Sequence, residues 1–269
     1  MRSIYISLIL VLLLTTGCSS LIQRPNIATP AAIAPQLSEP FPEPNPDIPN
    51  FDHIVFIIFE NREFENVIGN PNAPYMNQLA TENTLLAQFY AVAHPSLQNY
   101  IALIGGDTYG YTENCKNCPV TATNLADLIE LNGQDWKTYQ ENMPDDCVIY
   151  DSGDEYVVRH NPFMYFSSII NDKERCRDHV EEYYELEEDI VNNNLPDFIF
   201  ITPNLCNAGH DCPLQDADAW LGNTLPPLVD ALQKGSDNYL VVVTWDEGET
   251  DKSCCSLPAE ASWFQEEVQ

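Results

Sequence analysis

Positive charge is scarce in this chain: 11 Lys and Arg stand against 41 Asp and Glu, a formal net charge of −30. Without a basic stripe there is no electrostatic footprint for a polyanion, so nucleic-acid binding is excluded as a function class. The same deficit repels phosphorylated ligands. A phosphate site would need a local cation, which points toward a metal ion. Long apolar runs are missing too. The N-terminal stretch from Ile4 to Leu14 is too short to span a bilayer. No second C-x-x-C completes a zinc cage with Cys115 and Cys118. No internal repeat is found, which excludes solenoid and propeller arrays.

What the N-terminus does have is an export pattern. Arg2 gives a short positive region, Ile4 to Leu14 give the apolar segment, and Thr15, Thr16, Gly17 and Cys18 follow. Small residues ending in Gly-Cys resemble a bacterial lipobox, with lipidation at Cys18. An ordinary signal with an incidental Cys is the other reading. The lipobox is preferred because the Cys closes the apolar run. Residues 1–17 are then a lipoprotein signal peptide, and the mature chain is exported and held on a bacterial membrane by its lipid, facing the periplasm or the exterior. Residues 18–50 contain Pro25, Pro30, Pro35, Pro40, Pro42, Pro44, Pro46 and Pro49. Proline at that density reads as an extended tether. Residues 51–269 are expected to form one domain.

Apart from Cys18, eight cysteines remain, and an even number in an exported chain reads as disulfides. Near neighbours such as Cys115 with Cys118 and Cys206 with Cys212 can pair, but spacing leaves the connectivity open. Three unbroken apolar runs, His53–Phe59, Asp197–Thr202 and Tyr239–Trp245, read as strands covered on both faces. Helices are expected over Ser96–Ile104, Thr123–Leu131, Val180–Asn192 and Ala217–Gln233. Strands alternating with helices predict an α/β sandwich with a mainly parallel sheet.

Each strand runs into a polar loop. Glu60-Asn61 follow the first; Pro203-Asn204 and then His210-Asp211 follow the second; Asp246-Glu247-Gly248 follow the third. Ligands of open parallel sheets bind beyond the carboxyl ends of the strands, so these loops should meet on one rim. Glu60, Asn61, Asp246 and Glu247 supply three carboxylates and an amide oxygen, a set suited to one hard divalent cation such as Mg, Ca or Mn. Each pair alone reads equally well as a polar surface turn. Ser96, in His94-Pro95-Ser96-Leu97-Gln98-Asn99-Tyr100, opens a helix and can be either an N-cap or a nucleophile. His94, His160 and His210 lie in loops and could hold phosphate oxygens or move a proton. His53 is expected to be structural, and His179 to lie on a solvated face. Arg159 is one of few cations able to meet an anion.

Five stretches, HIVFIIFENREFENVIG (53–69), HPSLQNYIALIGG (94–106), RHNPFMYF (159–166), ITPNLCNAGHDC (201–212) and VVVTWDEGETD (241–251), occur in order. Together they resemble the phosphoesterase family of bacterial phospholipases C and certain acid phosphatases, within the alkaline phosphatase superfamily. The resemblance implies an alkaline-phosphatase-like sandwich in which Glu60, Asn61, Ser96, Asp246 and Glu247 hold one divalent metal. It implies that Ser96 attacks phosphorus to give a phosphoseryl intermediate, with a histidine such as His210 protonating the leaving oxygen. His94, Asn99, His160, Asn204, His210 and Asp211 would line the phosphate pocket. Glu247 stands where other members carry Asp.

Members of that family continue past the Asp-Glu-Gly loop, whereas this sequence ends at Gln269, so the domain is expected to be truncated at its C-terminus. The substrates implied are a small phosphate ester or a phospholipid headgroup, with a phosphomonoesterase favoured over a phospholipase C-like phosphodiesterase. The alternative is a non-catalytic truncated lipoprotein that binds metal or phosphate. No Cys-x-Pro-x-Arg stretch supports a sulfatase.

Overall fold

The three apolar runs form neighbouring parallel strands of a five-stranded sheet, but the third, Tyr239–Trp245, is an edge strand among the described residues and only partly buried, not covered on both faces as expected. The computed structural model describes residues 45–250, apart from 47, 154, 236 and 237. Its elements, in chain order, are β1 (His53–Phe59), α1 (Phe64–Val67), α2 (Pro74–Glu82), α3 (Leu97–Gly105), α4 (Leu125–Leu131), β2 (Trp136–Gln140), α5 (Ser167–Ile170), α6 (Lys173–His179), β3 (Val180–Glu182), α7 (Tyr184–Asn192), β4 (Phe198–Thr202), α8 (Leu214–Gly235) and β5 (Tyr239–Trp245). The strand order is β3-β2-β4-β1-β5, and every pairing is parallel.

Helices cover both faces of the sheet, and the alternation of side chains along each strand divides the core in two. Ile58 of β1 and Phe198 and Phe200 of β4 pack with Leu97, Tyr100, Ile101 and Ile104 of α3. Val55, Ile57 and Phe59 of β1 and Ile199 and Ile201 of β4 pack with Leu221, Leu225, Leu228 and Leu232 of α8. The apolar face of α8 carries the helix through Pro226 and Pro227, whose missing N–H groups would break it in isolation. The α/β sandwich expected from the sequence is the fold observed.

Two strands escaped the reading of apolar runs. β2 (WKTYQ) alternates chemistry and buries Thr138 and Gln140, whose amide donates to the Thr138 and Thr202 hydroxyls at 2.7 and 3.2 Å. β3 corrects the helix expected over Val180–Asn192. Its three residues, Val180–Glu182, pair with β2 as a short, acidic edge strand, and helix begins only at Tyr184. His179 is not on a solvated face: its ring stacks on Trp136 at 4.7 Å and its Nδ1 meets Arg175 O at 2.7 Å. His53 is structural, its Nδ1 lying 2.9 Å from Pro196 O.

Disulfides join Cys115 to Cys118 and Cys206 to Cys212, and a third, unforeseen pair joins Cys147 to Cys176. The signal segment, Cys18, the tether up to residue 44, Cys254, Cys255 and the C-terminal tail lie outside the described residues.

Candidate active site

The register of β1 against β5 pairs Phe59 with Trp245, so the next residues, Glu60 and Asp246, emerge side by side. Backbone hydrogen bonds stitch the loops together there. Asp246 N donates to Phe59 O at 2.9 Å, Arg62 N to Glu247 O at 3.2 Å, and Glu60 N to Ala208 O of the loop after β4 at 3.0 Å. Asn61 takes a left-handed conformation (φ 50°), which asparagine tolerates better than most residues, and its N–H donates to Asp246 Oδ1 at 3.3 Å. Gly248 lets the third loop close: a Cβ there would stand 2.6 Å from Glu63 Oε2. Glu63 in turn accepts from the backbone N–H and hydroxyl of Thr250 at 2.8 and 2.7 Å.

Ser96 does not cap its helix. It occupies the cap position of α3, yet it has helical dihedrals (φ −44°, ψ −45°) and its side chain makes no capping bond. The hydroxyl instead turns toward the carboxylates, 3.2 Å from Glu60 Oε2 and 3.0 Å from Glu247 Oε1. Ser96, Glu60, Asp246 and Glu247 are all buried. The parity of β1 explains the meeting, since Glu60 points to the same side of the sheet as Ile58, which packs on α3.

Three carboxylates in so little water perturb one another. Burial, then the charge of Asp246, holds Glu60 well above the usual carboxylate range. Burial, then the charge of Glu247, pushes Asp246 up to about 8. Burial raises Glu247 as well, opposed by His94, whose Nδ1 contacts Glu247 Oε2. All three shifts run the same way, chiefly because burial disfavours the charged form of each carboxylate.

A hard divalent cation fits this donor set, because it would offset the charge of the carboxylates and take their oxygens as ligands. Asp246 Oδ1 accepts from two backbone N–H groups, leaving Oδ2 buried without a hydrogen-bond partner. Among the described residues, the one trio of His, Cys, Asp or Glu ligand atoms drawn within 4.8 Å of one another is elsewhere, at Cys206, Cys212 and Asp216. Two of those sulfurs are joined in a disulfide, so they are not thiolate ligands. Glu60 and Glu247 flank Ser96 without joining a third such residue in a trio whose ligand atoms all lie within 4.8 Å of one another.

A second layer lies behind Glu60. Tyr100, one turn after Ser96, donates its hydroxyl to Glu60 Oε1 at 2.6 Å. His160 Nε2 lies 3.2 Å from the same oxygen, and its ring stacks on Tyr100 with centroids 5.1 Å apart and planes at 11°. Burial, then the charges of Arg159 and His210, keeps the His160 pKa well below the usual imidazole value. His210 stands toward solvent, its ring centroid 6.2 Å from that of His160, and its Nδ1 meets Asp211 Oδ1 at 2.5 Å.

Three further candidates brace the loops around the site, and of these His94 contacts a site carboxylate directly. His94 is tied to the third loop through Glu247 and through Thr250 O, 3.2 Å from its Nε2. Asn99 Oδ1 accepts from Val92 N and Ala93 N at 2.9 and 3.1 Å, fixing the approach to His94. Asn204 accepts from Asn207 N at 2.8 Å and donates to Asn142 Oδ1 at 2.7 Å, within a loop that Glu141 also holds. Sequence reasoning missed Tyr100, Arg62 and Glu141. Tyr100 carried a usable signal, standing four residues after Ser96 on one helix face. The other two act by gripping backbone, which leaves no motif.

The Phosphoesterase family profile matches residues 70–259, a span that takes in Ser96, His160, His210, Asp246 and Glu247. Glu60 and Asn61 lie ahead of that span and join it through the contacts above. The chain is 34% identical over 206 residues to a phosphate-repressible acid phosphatase of Penicillium chrysogenum, covering 74% of this chain and 49% of that protein. It is 29% identical over 240 residues to an acid phosphatase of Aspergillus fumigatus, covering 85% and 52%. A phosphatidylinositol-3-phosphatase of Mycobacterium tuberculosis is 32% identical over 203 residues, covering 74% and 64%. The chain thus matches about half the length of the fungal relatives.

Proposed function

The chain belongs to the Phosphoesterase family, and from that premise we propose that it is a phosphate-ester hydrolase that uses Ser96 as nucleophile. The observation that carries the reading is the Ser96 hydroxyl, free of its capping role and turned onto two buried carboxylates. Glu60, Asn61, Ser96, Asp246 and Glu247 are the residues that would hold one divalent cation of the Mg, Ca or Mn class. Such an ion lowers the pKa of a hydroxyl and offsets the charge of an entering phosphate.

The chain's own groups perform the proton work. Ser96 Oγ passes its proton to a carboxylate oxygen of Glu60 or Glu247 and forms the bond to phosphorus. The bond from phosphorus to the ester oxygen breaks, and His210, held through Nδ1 by Asp211, gives the departing oxygen its proton. Water then cleaves the phosphoseryl ester and inorganic phosphate leaves, restoring the hydroxyl. His160, stacked on Tyr100, and the braced loops of His94, Asn99 and Asn204 shape the pocket around the phosphate.

A phosphomonoester is the favoured substrate, since the relatives above are named as phosphatases. Export on a lipid at Cys18 belongs to the same proposal. The apolar segment ending in Gly17-Cys18 supports it, as do three disulfides, which persist in oxidising compartments. No helix among the described residues is long and apolar enough to cross a membrane. The test is hydrolysis of p-nitrophenyl phosphate and p-nitrophenylphosphorylcholine by the chain from Ser19, with and without EDTA. Turnover of the monoester that EDTA abolishes is expected. Stabilisation by metal with turnover of neither ester would favour a non-catalytic binder instead.

A further inference from the structure

Arg62 stands two residues beyond Glu60, in a chain with few cations, and its guanidinium reaches into the loop after β4. Nη2 donates to Gly209 O at 2.8 Å and to Cys212 O at 3.1 Å. These two carbonyls bracket His210 and Asp211 in the sequence. Nη1 pairs with Glu249 in the third loop at 3.1 Å. The backbone N–H of Arg62 is bonded to Glu247 O. One residue therefore grips all three strand-end loops, and the grip on the middle one closes around the histidine. Gly209 sits at φ +84° and passes close to the guanidinium: a Cβ there would lie 3.8 Å from Arg62 Nε. The Cys206–Cys212 disulfide closes the loop on itself; Glu141 and Glu155 O anchor its first half through Asn204 N and Leu205 N, while Arg62 and the Glu60 N to Ala208 O bond tie its second half, which carries His210, to the first loop.

We infer that Arg62 is a positioning residue that sets His210 at the leaving-group side of Ser96. The inference rests on the phosphatase reading and deepens it. The half-exposed pair with Glu249 contributes little, because water screens it. The carbonyl bonds are the ones that matter.

The dependence on leaving group separates positioning from general support. p-Nitrophenolate leaves without a proton, whereas phenolate benefits from one. For Arg62→Met, which keeps the aliphatic stem, kcat/KM on phenyl phosphate is expected to fall about 10- to 100-fold while p-nitrophenyl phosphate loses less than about threefold. Glu249→Gln should stay close to wild type on both. Hydrogen exchange of the amides in 206–212 should accelerate in Arg62→Met and not in Glu249→Gln. Equal losses on the two esters, no loss on either, or unchanged exchange would overturn the inference. If the wild type turns over neither ester, the phosphatase reading has failed on its own account and the positioning role falls with it.

Discussion

Tyr100→Phe removes one oxygen atom from the site and nothing else. The ring remains stacked on His160 and packed in the core against Phe200, so the fold has little reason to change. What is lost is the 2.6 Å donation to Glu60 Oε1, leaving that oxygen with His160 Nε2 at 3.2 Å as its remaining close neighbour of the two. A hydrogen bond to a charged acceptor is worth about 1.5–3 kcal/mol. At about 1.4 kcal/mol per factor of ten, affinity for the divalent cation that Glu60 is proposed to hold should weaken roughly ten- to a hundredfold, the usual range for a partner that orients a ligand. The assay is titration of the EDTA-stripped protein with Mg, Ca or Mn, followed by calorimetry, beside kcat at saturating metal. Weakened metal binding with most of kcat recovered at high metal is expected. An affinity within about twofold of wild type would refute the idea that Tyr100 orients a ligand.

Without metal, stability should fall as pH rises. Asp246 is charged above 3.8 when unfolded but only above about 8 when folded, so the folded protein holds the extra proton between those values. The slope is about 1.4 kcal/mol per pH unit for that group, with the loss complete above the folded value. Denaturant titrations in EDTA at pH 5 and pH 8 should show the fall, Asp246→Asn should flatten it, and added divalent cation should offset it. The Cys147–Cys176 bridge closes a separation of 29 residues. The double Cys→Ser variant should lose about 3.6 kcal/mol by the loop-entropy relation, read as a lower denaturation midpoint. Glu141→Gln weakens the carboxylate that receives Asn204 N, Asn207 Nδ2 and Trp220 Nε1, and should raise KM more than it lowers kcat.

Much of the architecture was legible because β1 and β4, neighbours inside the sheet, read as unbroken apolar runs; β5 carries the same pattern although it lies at the edge of the described sheet and is only partly buried. β2 was not, since its Thr138 and Gln140 satisfy one another inside the core and so look like surface residues in sequence. β3 was hidden inside an acidic stretch that suits a helix equally well. At the site, the strand-end rule alone brought Glu60, Asp246 and Glu247 together, and parallel register made the meeting obligatory. That Ser96 does not cap its helix could not be read locally, because a serine before a helix caps it in most settings; only the side-chain direction shows that its hydroxyl meets Glu60 and Glu247 instead. Asn99 and Asn204 were expected from the family resemblance to line the phosphate pocket. The structure adds that their amides are engaged with backbone and with Asn142, contacts that no local pattern encodes.

The central claim is a covalent bond between phosphorus and Ser96, and acid-quenched turnover followed by peptide mass spectrometry tests it most directly. With p-nitrophenyl phosphate and divalent metal present, one phosphoryl group should appear on the peptide containing Ser96, vanish when EDTA is added before substrate, and be absent in Ser96→Ala, which should not turn over. Sustained hydrolysis by Ser96→Ala, or phosphoryl transfer to a different residue, would contradict the account.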